Sequence, residues 1–307
     1  MFTGNTLRLK DFDGKFGLQV QRNCDFSYVA KVPTRLARRI VPCEKPLHIT
    51  NAVKNKGIVG IVTTHELAAL VPEALGLALA AQPVLAAIQL HEHVADIPDF
   101  QWRSFATRIH PSAIVHSSAS ISENDVEIGA GTIVHPNAVL FPRTFIGENC
   151  SIGAGTVVST DAFEINTRVA PYAIIRQSGG VRLADNVDVQ AKCTLVRATF
   201  GGFTELGAET KLDCQVHFAH DCIAGKRVRI AACAELSGRV EIGDDCFIGP
   251  NVSVSNGVRI GARAQVTIGS VVTRDVQDDQ TVTGNFAVPH EKWLAFVKAV
   301  NAGRTGE

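Results

Sequence analysis

From residue 206 to residue 272 an apolar residue returns at every sixth position: Leu206, Leu212, Phe218, Ala224, Ile230, Leu236, Ile242, Ile248, Val254, Ile260, Val266 and Val272. With 46% of the chain apolar, chance would fill twelve such slots in a given phase roughly once in ten thousand chains. The residue after each is small or Thr, as at Gly207, Gly225 and Gly243, with Asp213 the exception. Two positions before each sits a small or medium residue such as Thr210, Cys222, Cys246 or Ala264. This alternation of large and small inward residues, cornering every six, predicts short strands wound into a three-sided prism of about 18 residues per turn, with strands stacked at about 4.8 Å. Residues i and i+18 become vertical neighbours.

The same beat occurs earlier, at Ile109, Val115 and Ile121 and, after a slip, at Ile128, Val134, Leu140, Ile146, Ile152 and Val158. It fails over residues 159–180, which are expected to leave the prism as a loop, and resumes at Leu183, Val189 and Leu195. Residues 1–107 lack the rhythm and read as a small α/β domain, with strands at 57–63 and 75–81. Pro83 opens a helix to about His93, because proline lacks the N–H that a first helical turn leaves unpaired. Pro289 opens a second helix, with Trp293, Phe296, Val297 and Val300 on one face as a packing stripe. The fold expected is thus mainly β: a parallel β-helix over 108–284, a small N-terminal α/β domain over 1–107, and a C-terminal helix and tail over 285–307. A coil needs a cover at each end, which these flanking parts supply.

Composition adds limits. Thirty basic residues balance thirty acidic ones, so no global field draws the chain to nucleic acid or to an anionic membrane. No run of 18 apolar residues occurs, and the N-terminus lacks a signal-peptide layout; a cytoplasmic protein without membrane insertion is expected. The eight cysteines show no CxxC-type spacing, so they read as reduced core residues, and no metal site is expected.

The candidate chemistry lies in His217-Phe218-Ala219-His220-Asp221. Phe218 points inward, so the imidazoles and the carboxylate lie around it. A solvated pair of histidines at a corner is the plain alternative. The surroundings argue otherwise, because an 18-residue wrap stacks Gly238 against His220 and leaves its backbone N–H clear of side-chain cover, an oxyanion-hole arrangement. His220 can take a proton from an attacking amine or hydroxyl, with Asp221 or Asp213 orienting the ring. No G-x-S-x-G or comparable nucleophile motif is present.

These residues resemble the hexapeptide-repeat acyltransferases, whose members wind left-handed and assemble as homotrimers with active sites between subunits. His217 to Asp221 is similar to the H-x-A-H-D segment of UDP-N-acetylglucosamine O-acyltransferases, and Leu236-Ser237-Gly238 to their L-A-G segment. That likeness implies His220 as base and the Gly238 N–H as oxyanion donor. Over its full length the chain more closely resembles the UDP-3-O-acylglucosamine N-acyltransferases of lipid A synthesis. Asp161-Ala162-Phe163 stands where they have D-G-F, Thr194 to Arg197 where they have T-I-D-R, and 284–289 precedes a terminal helix.

The resemblance implies N-acyl transfer to the amine of a nucleotide-linked sugar. The donor would be a thioester of acyl carrier protein or of coenzyme A, with no covalently bound cofactor. Phe26 or Tyr28 would hold the nucleotide base. His217, Asp213, Asn256 and Phe163 are further substrate-contact candidates. The second histidine that the N-acyltransferases carry falls on Gly257 here, with Asn256 beside it in the column of His220. Transfer to a hydroxyl, or a β-helical binding protein without catalysis, are the alternatives.

Overall fold

The structure, a computed structural model, describes residues 1–284 and 287–304. Within the segment 285–307, residues 285, 286 and 305–307 lie outside the described residues. The N-terminal part is a five-stranded sheet in the order Gln19–Arg22, Gly76–Leu79, Ile58–Thr63, Arg39–Cys43, Tyr28–Val29. All neighbours pair in parallel except the first two. Alternation along these strands sends Ile40, Val62 and Ala78 to one face and Val41, Ile61 and Leu77 to the other. Helix α2 (Pro83–Asp96) packs on the first face through Ala86, Ala87, Leu90 and Val94, and α1 (Pro46–Val53) on the second through Ile49 and Ala52. The expected strands and helix are all present, the helix one turn longer.

From Arg108 the chain winds into a left-handed parallel β-helix of three flat sheets with eight, eight and nine strands. The register matches the predicted beat: Leu206 pairs with Ala224, and Phe218 with Leu236, eighteen residues on. The inward column is sealed, with Phe218, Leu236, Ile248 and Val266 fully buried and Cys222, Cys246, Ala234 and Ala264 filling the small slots between. From 215 to 251 each corner is turned by a residue in the left-handed backbone region, again at intervals of six: Gln215, Asp221, Arg227, Cys233, Arg239, Asp245 and Asn251. None of these seven is glycine. Each corner therefore carries a conformational cost of about 1–2 kcal/mol, which the stacked wraps must offset.

Two wraps depart from eighteen in ways that build the site. Ile146 is followed by Leu183 in its column, and the intervening excursion folds as an antiparallel pair, Ile165–Asn166 with Ala173–Ile174. Leu195 is followed by Phe218, five residues late, so 196–202 form a bulge on one corner. A small cluster of Ala30 and Ile88 from the N-terminal part, Ile175 from the excursion and Phe200 from the bulge joins all three regions. Among the described residues no helix is long and apolar enough to cross a membrane. The C-terminal helix α3 (His290–Arg304) does not pack as expected: Trp293, Phe296 and Val300 are exposed, about half of the Trp293 surface among them. The stripe finds no partner surface among the described residues.

Candidate functional site

His220 closes the strand His217–Phe218 and opens the next corner, under the five-residue bulge. Its side chain is only 12% exposed. The ring Nδ1 lies 2.8 Å from Asp221 Oδ2 and 3.2 Å from Thr199 Oγ1. Asp221 is fixed in turn: the Thr199 hydroxyl donates to Oδ2 at 3.2 Å, and the Asp221 backbone N–H donates to Thr204 Oγ1 at 2.9 Å. A carboxylate can only accept, so Nδ1 carries the proton and the Nε2 lone pair faces outward from the dyad.

Gly238 stacks directly beneath. A Cβ built there would collide with the imidazole, 2.5 Å from Cε1 and in contact with Nε2, and would lie 3.0 Å from Asn256 Nδ2. The column His220, Gly238, Asn256 is thus in place. The Gly238 N–H, buried, makes none of the hydrogen bonds found among the described residues. An unpaired buried amide beside an unprotonated imidazole nitrogen is what a developing oxyanion and a proton in flight require.

Glu164, on the excursion, was not foreseen. Its Oε1 lies 3.6 Å from His220 Nε2 and accepts from Arg239 at 2.8 Å, while Oε2 accepts from Lys31 at 2.6 Å. Burial pushes the Glu164 carboxyl up, but Lys31 and Arg239 together outweigh it and hold it below the usual carboxylate range. Three regions of the chain therefore meet on the open edge of His220. Beside Asp221 and Arg239 opens a cleft of about 190 Å³ walled by Thr34, Arg35, Leu36, Gly201 and Gly202.

The other sequence candidates divide. His217 stands half-buried on the same face, above Glu235 in register, its pKa lowered by burial. Tyr28 packs its ring against Gly201 of the bulge, so it lies near the cleft but edge-on to the chain. Phe163 is 88% exposed next to Glu164. Two candidates are corrected. Asp213 cannot orient His220: it follows the strand Lys211–Leu212 of the next sheet, one corner away, and accepts from the backbone N–H of its neighbour Cys214 at 2.7 Å. Phe26 is sealed in the N-terminal core at 0% exposure, so it offers no ring face to a ligand. Cys222, whose thiol burial pushes up to about 12, is a packing residue rather than a nucleophile.

A sequence family described as the hexapeptide repeat of succinyl-transferase matches residues 143–161 and 239–274, two stretches of the prism. Those two stretches match the hexapeptide repeat. Among curated proteins the chain is similar to UDP-3-O-acylglucosamine N-acyltransferases. The one from Janthinobacterium sp. (strain Marseille) is 28% identical over 52% of this chain and 45% of that protein. The one from Bordetella pertussis is 28% identical over 63% and 64%, and that from Shewanella denitrificans is 34% identical over 48% and 44%. The chain spans about half the length of most of the curated relatives it matches. Among solved structures, a UDP-N-acetylglucosamine acyltransferase from Campylobacter jejuni aligns with a TM-score of 0.48 and 23% identity, over 58% of this chain and 72% of that one.

Proposed function

We propose that this protein transfers an acyl group from a thioester to the amine of a nucleotide-linked amino sugar, with His220 as general base. The observation that carries the reading is the His220–Asp221 pair at 2.8 Å stacked over the unpaired amide of Gly238; the names of its relatives supply the substrate class. The free amine attacks the thioester carbonyl and a C–N bond forms. His220 Nε2 takes the amine proton, Asp221 stabilises the imidazolium, and the Gly238 N–H donates to the carbonyl oxygen as it gains charge. The C–S bond then breaks, and His220 returns the proton to the departing thiolate.

On this reading residues 1–107 form a nucleotide-binding domain, and Tyr28, His217 and Asn256 contact the substrate. Homotrimers place the site between subunits, and the donor is an acyl carrier protein or coenzyme A thioester used in the cytoplasm. His220→Ala is expected to lower kcat/KM by roughly 10²- to 10⁴-fold with the oligomer intact. The assay pairs a panel of acyl thioesters with nucleotide sugars that do and do not carry an amine. Turnover of the hydroxyl sugars alone, or near-normal turnover in the variant, would overturn the proposal.

A further inference from the structure

Against the excursion lies a second cavity, of about 450 Å³, lined by none of the residues assigned above to acyl transfer. Three guanidinium groups line it, from Arg143, Arg176 and Arg197. Two are compensated. Arg176 pairs with Asp96, and Arg197 lies 3.3 Å from Asp161 while donating to the Ser159 carbonyl. Arg143 is not. It forms no ion pair among the described residues; it donates to the Ser178 carbonyl and stacks 5.0 Å over Trp102. Asp125, on the same wall, already accepts from the Ser104 hydroxyl and the Phe105 backbone N–H.

Three guanidinium groups against the two carboxylates of Asp125 and Asp161 leave the lining with an excess of one positive charge at a site with room for a ligand. Burial pushes Arg143 down to about 10, with the charge of Arg197 pushing the same way and that of Asp125 opposing it. One donor in the wall is also unsatisfied. Ser178, 2% exposed, has a hydroxyl without a hydrogen-bond partner among the described residues. Guanidinium forks match the oxygens of phosphate in pairs, and a serine hydroxyl adds a donor that rotates to suit.

We infer that the cavity lined by Arg143, Arg176, Arg197 and Ser178 is an oxyanion subsite for a phosphoryl group. Free phosphate and the diphosphate of a nucleotide share this chemistry. The inference does not depend on acyl transfer, because it is read by binding alone.

The test is calorimetric titration of the full chain with inorganic pyrophosphate, inorganic phosphate, uridine diphosphate and uridine. Saturable binding of pyrophosphate is expected, weakened at least tenfold in Arg143→Gln and restored in part by Arg143→Lys. Should Arg143→Gln fail to fold by circular dichroism, Arg176→Gln, on a largely exposed side chain, serves instead with a loss of several-fold. Uridine diphosphate binding far more tightly than phosphate, and losing that advantage in the variants, makes the phosphoryl group nucleotide-borne. Equal binding of the two makes it free phosphate. Absence of saturable binding by all four ligands, or binding within twofold of the parent in the variants, overturns the subsite.

Discussion

Gly238→Ala isolates the geometry of the site in a single carbon. The backbone of Gly238 lies outside the left-handed region, so alanine brings no conformational penalty there and its effect is steric. The new methyl would stand 2.5 Å from His220 Cε1, whereas ordinary contacts begin near 3.4 Å. The imidazole must therefore move by about 1 Å or tilt out of line. It cannot do so freely, because Asp221 at 2.8 Å and Thr199 at 3.2 Å hold Nδ1.

A displacement of about 1 Å between reacting groups typically costs on the order of 10²-fold in rate, close to 2.7 kcal/mol of barrier. Overpacking would destabilise the fold by about 1–3 kcal/mol, so thermal unfolding must be followed alongside the kinetics. The assay is kcat/KM with the thioester and amino-sugar panel, at a temperature where circular dichroism shows Gly238→Ala folded. Activity within twofold of the parent would refute both the contact and the role of the stacked pair.

His91 gives a pH test. It is fully buried between α2 and the bulge, donates from Nε2 to the Arg176 carbonyl at 2.9 Å, and burial lowers its pKa to about 4. The unfolded chain takes up this proton near pH 6.5 and the folded chain does not, so stability falls as pH drops from 6.5 towards 4, by on the order of 3 kcal/mol. His91→Gln should flatten the Tm profile over that window; an unchanged slope would remove His91 as its source. Glu164, its carboxyl held low by Lys31 and Arg239, contributes stability above the unfolded carboxylate value that is lost at still lower pH. Glu164→Gln should cost about 2–4 kcal/mol and speed proteolysis of residues 159–180, read by chemical denaturation and limited trypsin digestion. Phe218→Ala, at a fully buried position, should cost about 3–5 kcal/mol in the same denaturation assay.

The prism was legible because a wrap of fixed length turns position in the chain into position in space. His220, Gly238 and Asn256 fall in one column by counting alone, and the structure brings them together. The same count could have excluded Asp213: seven residues before His220 is more than one flat side, hence another corner. Phe26 was misjudged because aromatic character was weighed without the strand alternation that turns Asp25 out and Phe26 in. Glu164 and Lys31 lay beyond reach, since both come to His220 from segments without the beat, 56 and 189 positions away. Arg239 was within reach: it holds the corner position one wrap on from Asp221, both at positive φ.

Below Phe218 the prism also has modular length. Phe218, Leu236, Val254 and Val272 succeed one another at a constant interval, and each contacts only the wraps beside it. Excising residues 255–272 would rejoin Val254 to Thr273 in phase, giving a shorter rod with His220 and Gly238 untouched. Excising one residue fewer would rotate the remainder out of step and turn its buried valines to water, so the shaft can shorten only in multiples of six residues, and only a whole turn leaves each remaining side on its own face.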